Sequence, residues 1–266
     1  MLVTMRRGAE PGRSMTGYVA GRHAVMEAIQ AGQRVRRVLV DARAREGDPA
    51  IAAIVRAAAE ARVPVQPIPR QRLDAIHPRH QGIVAEVEPF RYAALADVLG
   101  RAKAAGPNAL VLVLDSLQDP QNFGTLLRTA LAVNASGVIF PEHRAVDVTP
   151  AVVRASAGAA ERLAIAQVAN LAQALDQCKA SGLWVVGLDA HAKASYDQID
   201  LGGAMAVVVG SEGSGLRRLV AERCDLLVQL PMAGPTESLN AAVAGSILLY
   251  HLFRQHPGAE AAAPRG

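Results

Sequence analysis

Val207-Val208-Val209-Gly210-Ser211-Glu212-Gly213-Ser214-Gly215-Leu216 is an apolar run that stops abruptly in a loop of small residues. Leu230-Pro231-Met232-Ala233-Gly234-Pro235-Thr236-Glu237-Ser238-Leu239-Asn240 repeats that build further along the chain. Glycine permits positive φ and close backbone approach, so loops of this kind can close tightly around a small ligand. A strongly apolar helical stretch, 241–253, follows the second loop. Working outward, strand-like runs at 110–114, 137–140, 184–188, 206–209 and 226–230 alternate with helical patterns at 125–133, 149–155 and 171–181. Such alternation predicts an α/β domain whose mostly parallel sheet is covered on both faces.

Upstream, residues 17–89 read as a smaller α/β unit. Apolar residues recur at helical spacing over 21–29 and 51–61, and a short helix is expected at 71–76. Strands are expected at 35–40, 63–68 and 82–87. Pro64 and Pro67 make the middle one an edge strand, because proline cannot donate to a ladder. Residues 90–107 read as a linker with helical character, ended by Gly106-Pro107. The larger domain then occupies 108–255. Residues 1–16, with Arg6, Arg7 and Arg13, read as a basic flexible arm, and 256–266 as a flexible tail.

Composition narrows the partners. Hydrophobic residues make up 51% of the 266 and aromatic residues only 3%, so small side chains dominate an ample core. The net charge of +4 is compatible with nucleic acid without demanding it. Cys178 and Cys224 form no C-x-x-C pair, which speaks against a zinc site or a disulfide framework. The histidines show no metal-ligand spacing. Neither a signal-peptide core nor an apolar run of about 18 residues is present, so no membrane association and a cytoplasmic setting are expected.

The loop after Val209 reads G-x-x-G-x-G rather than G-x-G-x-x-G, and no Gly-Lys-Ser/Thr follows. A dinucleotide or P-loop site is therefore poorly supported, and a nicotinamide-dependent oxidoreductase fails on glycine spacing. A third segment is Leu114-Asp115-Ser116-Leu117-Gln118-Asp119-Pro120-Gln121-Asn122-Phe123-Gly124-Thr125-Leu126-Leu127-Arg128-Thr129-Ala130. Asn122 reads either as a helix cap or as a site residue. Arg128 is a single guanidinium in an otherwise apolar helix and calls for an anionic partner. Asp115 and Asp119 beside Pro120 read as turn chemistry rather than as a metal site.

In order and spacing these three segments resemble the motifs of the SpoU (TrmH-like) RNA ribose 2'-O-methyltransferases of the SPOUT class, and most of all the branch that modifies a guanosine of 23S rRNA. That resemblance implies a trefoil-knotted catalytic domain and S-adenosylmethionine as cofactor. It implies cofactor contacts from Leu188, Gly210, Ser211, Glu212, Gly213, Leu230, Met232, Ser238, Leu239 and Asn240. Asn122, Arg128, Glu212, Ser238 and Asn240 become the catalytic set, with Glu212 beside the arginine. This chain has Ala241-Ala242 where many relatives have Val-Ser after the asparagine, which removes one hydroxyl.

The helix at 21–29 and the His80-Gln81-Gly82 turn resemble the L30e-like substrate-binding domain found ahead of such catalytic domains. Arg22, His23, His80 and Arg154 are the candidate RNA contacts. The resemblance further implies a homodimer through the catalytic domain, which suits the apolar stretch 241–253. Transfer RNA is the neighbouring substrate possibility. A non-catalytic RNA-binding ribosome-assembly factor is the competing function.

Overall fold

The computed structural model describes residues 17–30, 35–43, 48–88, 90–198, 202–235 and 238–256. The expected arm and all but the first residue of the expected tail lie outside them. The chain divides into two compact units, one formed by residues up to 91 with 149–154, the other by 92–148 with the rest.

In the first unit the order is Gly17–Ala20 (β1), Arg22–Gln30 (α1), Val35–Asp41 (β2), Pro49–Glu60 (α2), Val65–Ile68 (β3), Arg70–Ile76 (α3) and Ile83–Val87 (β4). The sheet runs β1-β4-β2-β3, antiparallel except for the β2–β3 pair. β3 sits at the edge, in keeping with Pro67 inside it and Pro64 just before it. α2 starts where Asp48 accepts a hydrogen bond from Ala50 N at 3.1 Å and Pro49 opens the helix. α1 and α2 bury Val25, Ala28, Ile51 and Ile54 against Val38, Val40 and Ala85 of the sheet.

The second unit begins with Leu95–Ala105 (α4) and Leu110–Leu114 (β5). Pro120–Ala132 (α5), Gly137–Pro141 (β6), Pro150–Ala155 (α6, which falls almost wholly in the first unit's share), Ile165–Val168 (β7) and Leu171–Ala180 (α7) follow. Trp184–Leu188 (β8), Ala194–Ser195 (β9), Met205–Val209 (β10), Arg218–Ala221 (α8), Leu226–Gln229 (β11) and Ala241–Gln255 (α9) complete it. The strand order is β7-β6-β5-β10-β8-β11-β9, and every pairing is parallel.

β5 (LVLVL) and β10 (MAVVV) are buried throughout, which is what an unbroken apolar run in a central parallel strand means. Each Leu, Val or Met side chain among them contributes roughly 1.5–3 kcal/mol by leaving water. α4 and α7 cover one side of the sheet through Val98, Ala102, Leu171 and Leu175. α5 and α9 pack together, α9 lying on β10 and α5 on β6. A Cβ on Gly245 of α9 would lie 2.8 Å from Leu126 and 2.9 Å from Val209, so only glycine allows that approach.

Three readings change. Residues 90–107 do not stand as a linker: α4 belongs to the core of the second unit, because Val98 and Ala102 form a buried stripe. α5 begins at Pro120 rather than 125, since Asp119 caps it by accepting from Gln121 N at 3.1 Å and Asn122 N at 3.4 Å. β1, β7 and the two-residue β9 were not expected. All three lie at sheet edges, where a short run carries little pattern.

The order of strands also creates a topological switch point. From β5 the chain moves outward through β6 and β7, then returns on the other side, so β5 and β10 are neighbours whose following loops lead away from one another. Ligands of open parallel sheets bind beyond the carboxyl ends of the strands at such a point.

Candidate functional site

The loops that follow β5, β8, β10 and β11 lie at the carboxyl ends of adjacent strands and form two cavities that share a wall. The first, of about 520 Å³, lies beyond β10, β8 and β11. Leu188 and Asp189 line it from β8, residues 209–216 from β10, and Leu230, Met232, Ser238 and Leu239 from β11 and its loop. A cavity of this size holds a small ligand, and strand-end N–H and C=O groups there provide donors and acceptors. Of the residues singled out for the cofactor, only Asn240 stands outside this lining.

Asn240 is placed elsewhere for a clear reason. It caps α9, its Oδ1 accepting from Ala242 N at 2.9 Å and Val243 N at 3.2 Å. That leaves Nδ2 free to donate to Asn122 Oδ1 at 3.0 Å and to the Glu212 carboxylate. Asn122 Nδ2 donates to the same Glu212 oxygen at 2.6 Å. Asn122, Glu212 and Asn240 therefore form one closed polar cluster, although 118 residues separate its two asparagines. Asn122 is buried on the first turn of α5, beside Phe123, whose ring packs 5.2 Å from that of Phe140. A Cβ at Gly124 would meet Ala155 at 2.4 Å, so this turn is pressed against residues 155–156. Asn122 thus belongs to this polar cluster, while Asp119 caps α5.

Arg128 lies outside this cluster. It shares the exposed stripe of α5 with Gln121, Thr125 and Ala132, and six residues from Asn122 turn it to another face. The expected Arg128–Glu212 pairing is not made within this chain. The two amides occupy the Glu212 oxygen instead. Ser238 is exposed on the rim of the first cavity.

In the first unit, His80 is buried, its Nε2 at 2.9 Å from Asp74 and its Nδ1 accepting from Gly82 N at 2.9 Å. With both nitrogens engaged it shapes the turn and is not presented to RNA. Arg22 Nε donates to Gln81 O at 3.3 Å, and the guanidinium pairs with Asp48. His23 is exposed. Arg154 donates to Glu27 at 2.9 Å.

The second cavity, of about 670 Å³, was not foreseen. It opens at the switch point, between the loops after β5, β6 and β10. Its floor holds an ion pair that sequence reading dismissed as turn chemistry. Asp115, wholly buried at the end of β5, accepts from Arg217 N at 2.8 Å and from Arg217 Nε at 2.6 Å. The only clue was a carboxylate ending an all-apolar strand.

Among the described residues no group of three metal-binding side chains occurs, and no helix is long and apolar enough to cross a membrane. Burial pushes the Cys178 and Cys224 thiols up to about 12.

This arrangement has close counterparts. Residues 109–250 match the SpoU rRNA Methylase family, more than half of the chain. The chain belongs to that family. Residues 18–93 match the domain described as RNA 2'-O ribose methyltransferase substrate binding. A Bacillus subtilis protein assigned to the TrmH family of tRNA/rRNA methyltransferases is 39% identical over 90% of this chain and 95% of its own length. A tRNA/rRNA methyltransferase of Mycolicibacterium vanbaalenii is 43% identical over 92% of this chain and 78% of its own. Among solved structures, the SpoU methyltransferase AviRb from Streptomyces viridochromogenes, in complex with AdoMet, is 28% identical with a TM-score of 0.60, over 90% of each chain. AdoMet-bound rRNA methyltransferase from Sinorhizobium meliloti is 26% identical with a TM-score of 0.59, covering 90% of this chain and 87% of that one. This chain is accordingly an RNA methyltransferase of the SpoU type.

Proposed function

We propose that this protein transfers a methyl group from S-adenosylmethionine to a ribose 2'-hydroxyl of RNA, with a guanosine of 23S rRNA as the target. The observation that carries the reading is the strand-end cavity lying directly against the Asn122–Glu212–Asn240 cluster. The residues fit the cofactor. Gly210, Ser211, Gly213 and Leu230 offer backbone groups for an adenine edge, while Leu188, Met232 and Leu239 offer apolar cover. Ser238 adds a hydroxyl at the rim. When bound, S-adenosylmethionine supplies an electrophilic methyl group, so the protein's work is alignment of the attacking oxygen.

Glu212, held by two amide donors, presents a fixed carboxylate toward the incoming hydroxyl. Arg128 stays protonated and acts by polarising that hydroxyl or holding the adjacent phosphate, not as a base. Because it sits on the exposed face of α5, its place in the reaction is best met in a homodimer. α9 carries an exposed apolar stripe, Val243, Ile247 and Tyr250, and is joined to α5 where Thr129 and Ser246 hydroxyls meet at 2.8 Å. An apolar stripe of that kind suits a subunit contact. The trefoil knot belongs to the same proposal. Arg22, His23 and Arg154 are the RNA contacts proposed for the first unit.

The test is methyl transfer from labelled S-adenosylmethionine to unmodified 23S, 16S and transfer RNA in parallel, with nucleoside analysis of the product. A 2'-O-methylated guanosine in 23S RNA alone supports the full proposal. Transfer to tRNA alone replaces the substrate and keeps the reaction. Absence of transfer with cofactor binding intact favours a ribosome-assembly factor.

A further inference from the structure

We infer that the crevice at the β5–β10 switch point is the acceptor subsite, where Arg144 and Arg217 grip an RNA phosphate next to the target ribose. This rests on the methyl-transfer reading above.

Position is the first support. Ser211, Glu212 and Ser214 line this crevice and the strand-end cavity alike, so the β10 loop is a wall common to both. A group seated in the crevice therefore meets Glu212, which the first cavity also reaches. At about 670 Å³ the crevice accepts a nucleotide.

Arg217 is the second. The buried Asp115 takes its N–H and its Nε, and both carboxylate oxygens are used. The pair fixes the guanidinium plane without occupying the two terminal nitrogens, which have no hydrogen-bond partner among the described residues. A pre-oriented fork of this kind matches two oxygens of a phosphate. A buried ion pair adds little net stability, so orientation is the more economical account of Asp115.

Backbone conformation is the third. Ser116 and Arg144, both lining the crevice, have φ of +63° and +65°. Non-glycine residues in the left-handed region carry strain and cluster at ligand sites. Asp115 N donates to Val209 O at 2.8 Å and Val146 N to Leu117 O at 2.9 Å, which lock the β5 loop to both of its neighbours. Arg144 is exposed, with no ion-pair partner among the described residues. The nearby Asp119 is committed to capping α5.

The experiment uses the full chain and unmodified 23S rRNA transcript, with binding measured over a range of salt concentrations and cofactor affinity by calorimetry. Arg144→Ala removes an exposed side chain and should fold normally. It is expected to raise the KM for RNA about tenfold, the loss of one charged contact. It should lower the salt slope of RNA binding by about 0.7 for one phosphate lost. Affinity for S-adenosylmethionine should stay within about twofold, since Arg144 does not line the first cavity. Arg217→Lys keeps charge but loses the fork, so KM rises while the salt slope holds. Asp115→Asn should do the same more weakly.

Unchanged KM in both Arg144→Ala and Arg217→Lys, with an unchanged salt slope in Arg144→Ala, overturns the subsite. So does a loss of cofactor affinity that matches the loss of RNA affinity. If the wild type methylates no transcript, the reaction reading fails, and the salt slope of Arg144→Ala still decides the subsite.

Discussion

The loops after β10 and after β11 are both rich in small residues, yet the first is cross-bonded while residues 231–235 of the second are exposed. In the first, Ser211 N donates to Gly215 O at 3.1 Å and Gly215 N returns a bond to Ser211 O at 3.0 Å. Gly210 is buried beneath that pair, and a Cβ there would fall 2.3 Å from the Gly215 carbonyl carbon. In the second, residues 231–235 are all exposed, and a Cβ on Gly234 would meet nothing within 4 Å. Its firm anchor is Asn240, at the start of α9. Three glycines (Gly210, Gly213 and Gly215) punctuate the first loop and only Gly234 the second. Close approach needs Gly210, whereas Gly234 in the second loop stands in open space.

A matched glycine pair tests this contrast most severely. Gly210→Ala forces backbone against backbone and should cost about 1–3 kcal/mol or more, with cofactor affinity falling at least about tenfold. Gly234→Ala should stay within about 0.5 kcal/mol and bind cofactor normally. Thermal melting and calorimetry on both proteins decide it, and equal effects would erase the distinction.

Asn240 sharpens the comparison from the other end. Asn240→Asp retains the acceptor that caps α9 but sets a carboxylate against Glu212. Stability at neutral pH should fall less than in Asn240→Ala, which loses about 1 kcal/mol with the cap. Turnover should collapse in both. An active Asn240→Asp enzyme would remove the cluster from the chemistry.

The smallest effect is chemical reactivity. Cys224 lies under the first loop, where a Cβ on Gly187 would meet both Leu216 and the Cys224 sulfur. With its thiol raised to about 12, only about one part in ten thousand is thiolate at pH 8. Iodoacetamide should leave native Cys224 unmodified. Met232, 39% exposed in the second loop, should oxidise readily with peroxide. Mass spectrometry of the two peptides reads both, and rapid alkylation of Cys224 would mean that the first loop opens.

Much of the catalytic unit was legible because its strands are short, continuous and apolar. Leu110–Leu114 and Trp184–Leu188 are found at the bounds the pattern predicts. The resemblance brought Asn122, Glu212 and Asn240 together as candidates, and the structure joins them by hydrogen bonds. Arg128 separates from them, since helical periodicity turns it to an exposed face. His80 was readable only as an RNA-facing or structural histidine, and burial decides for structure. Residues 90–107 looked like a connection because Gly106-Pro107 punctuates it. Whether Val98 and Ala102 meet a core depends on what packs against them.

By itself the sequence determined the alternation of strands and helices, the apolar centre of the sheet and the loops where small residues permit close approach. These are local properties: side-chain period, β-branching and glycine's lack of a Cβ act within a few residues. Tertiary structure alone decided that β10 lies beside β5, that Asp115 bonds Arg217 from 102 residues away, and that one loop lines two cavities. Those outcomes arise from strand order and from the need of buried polar groups to find partners, and neither leaves a periodic mark on the chain.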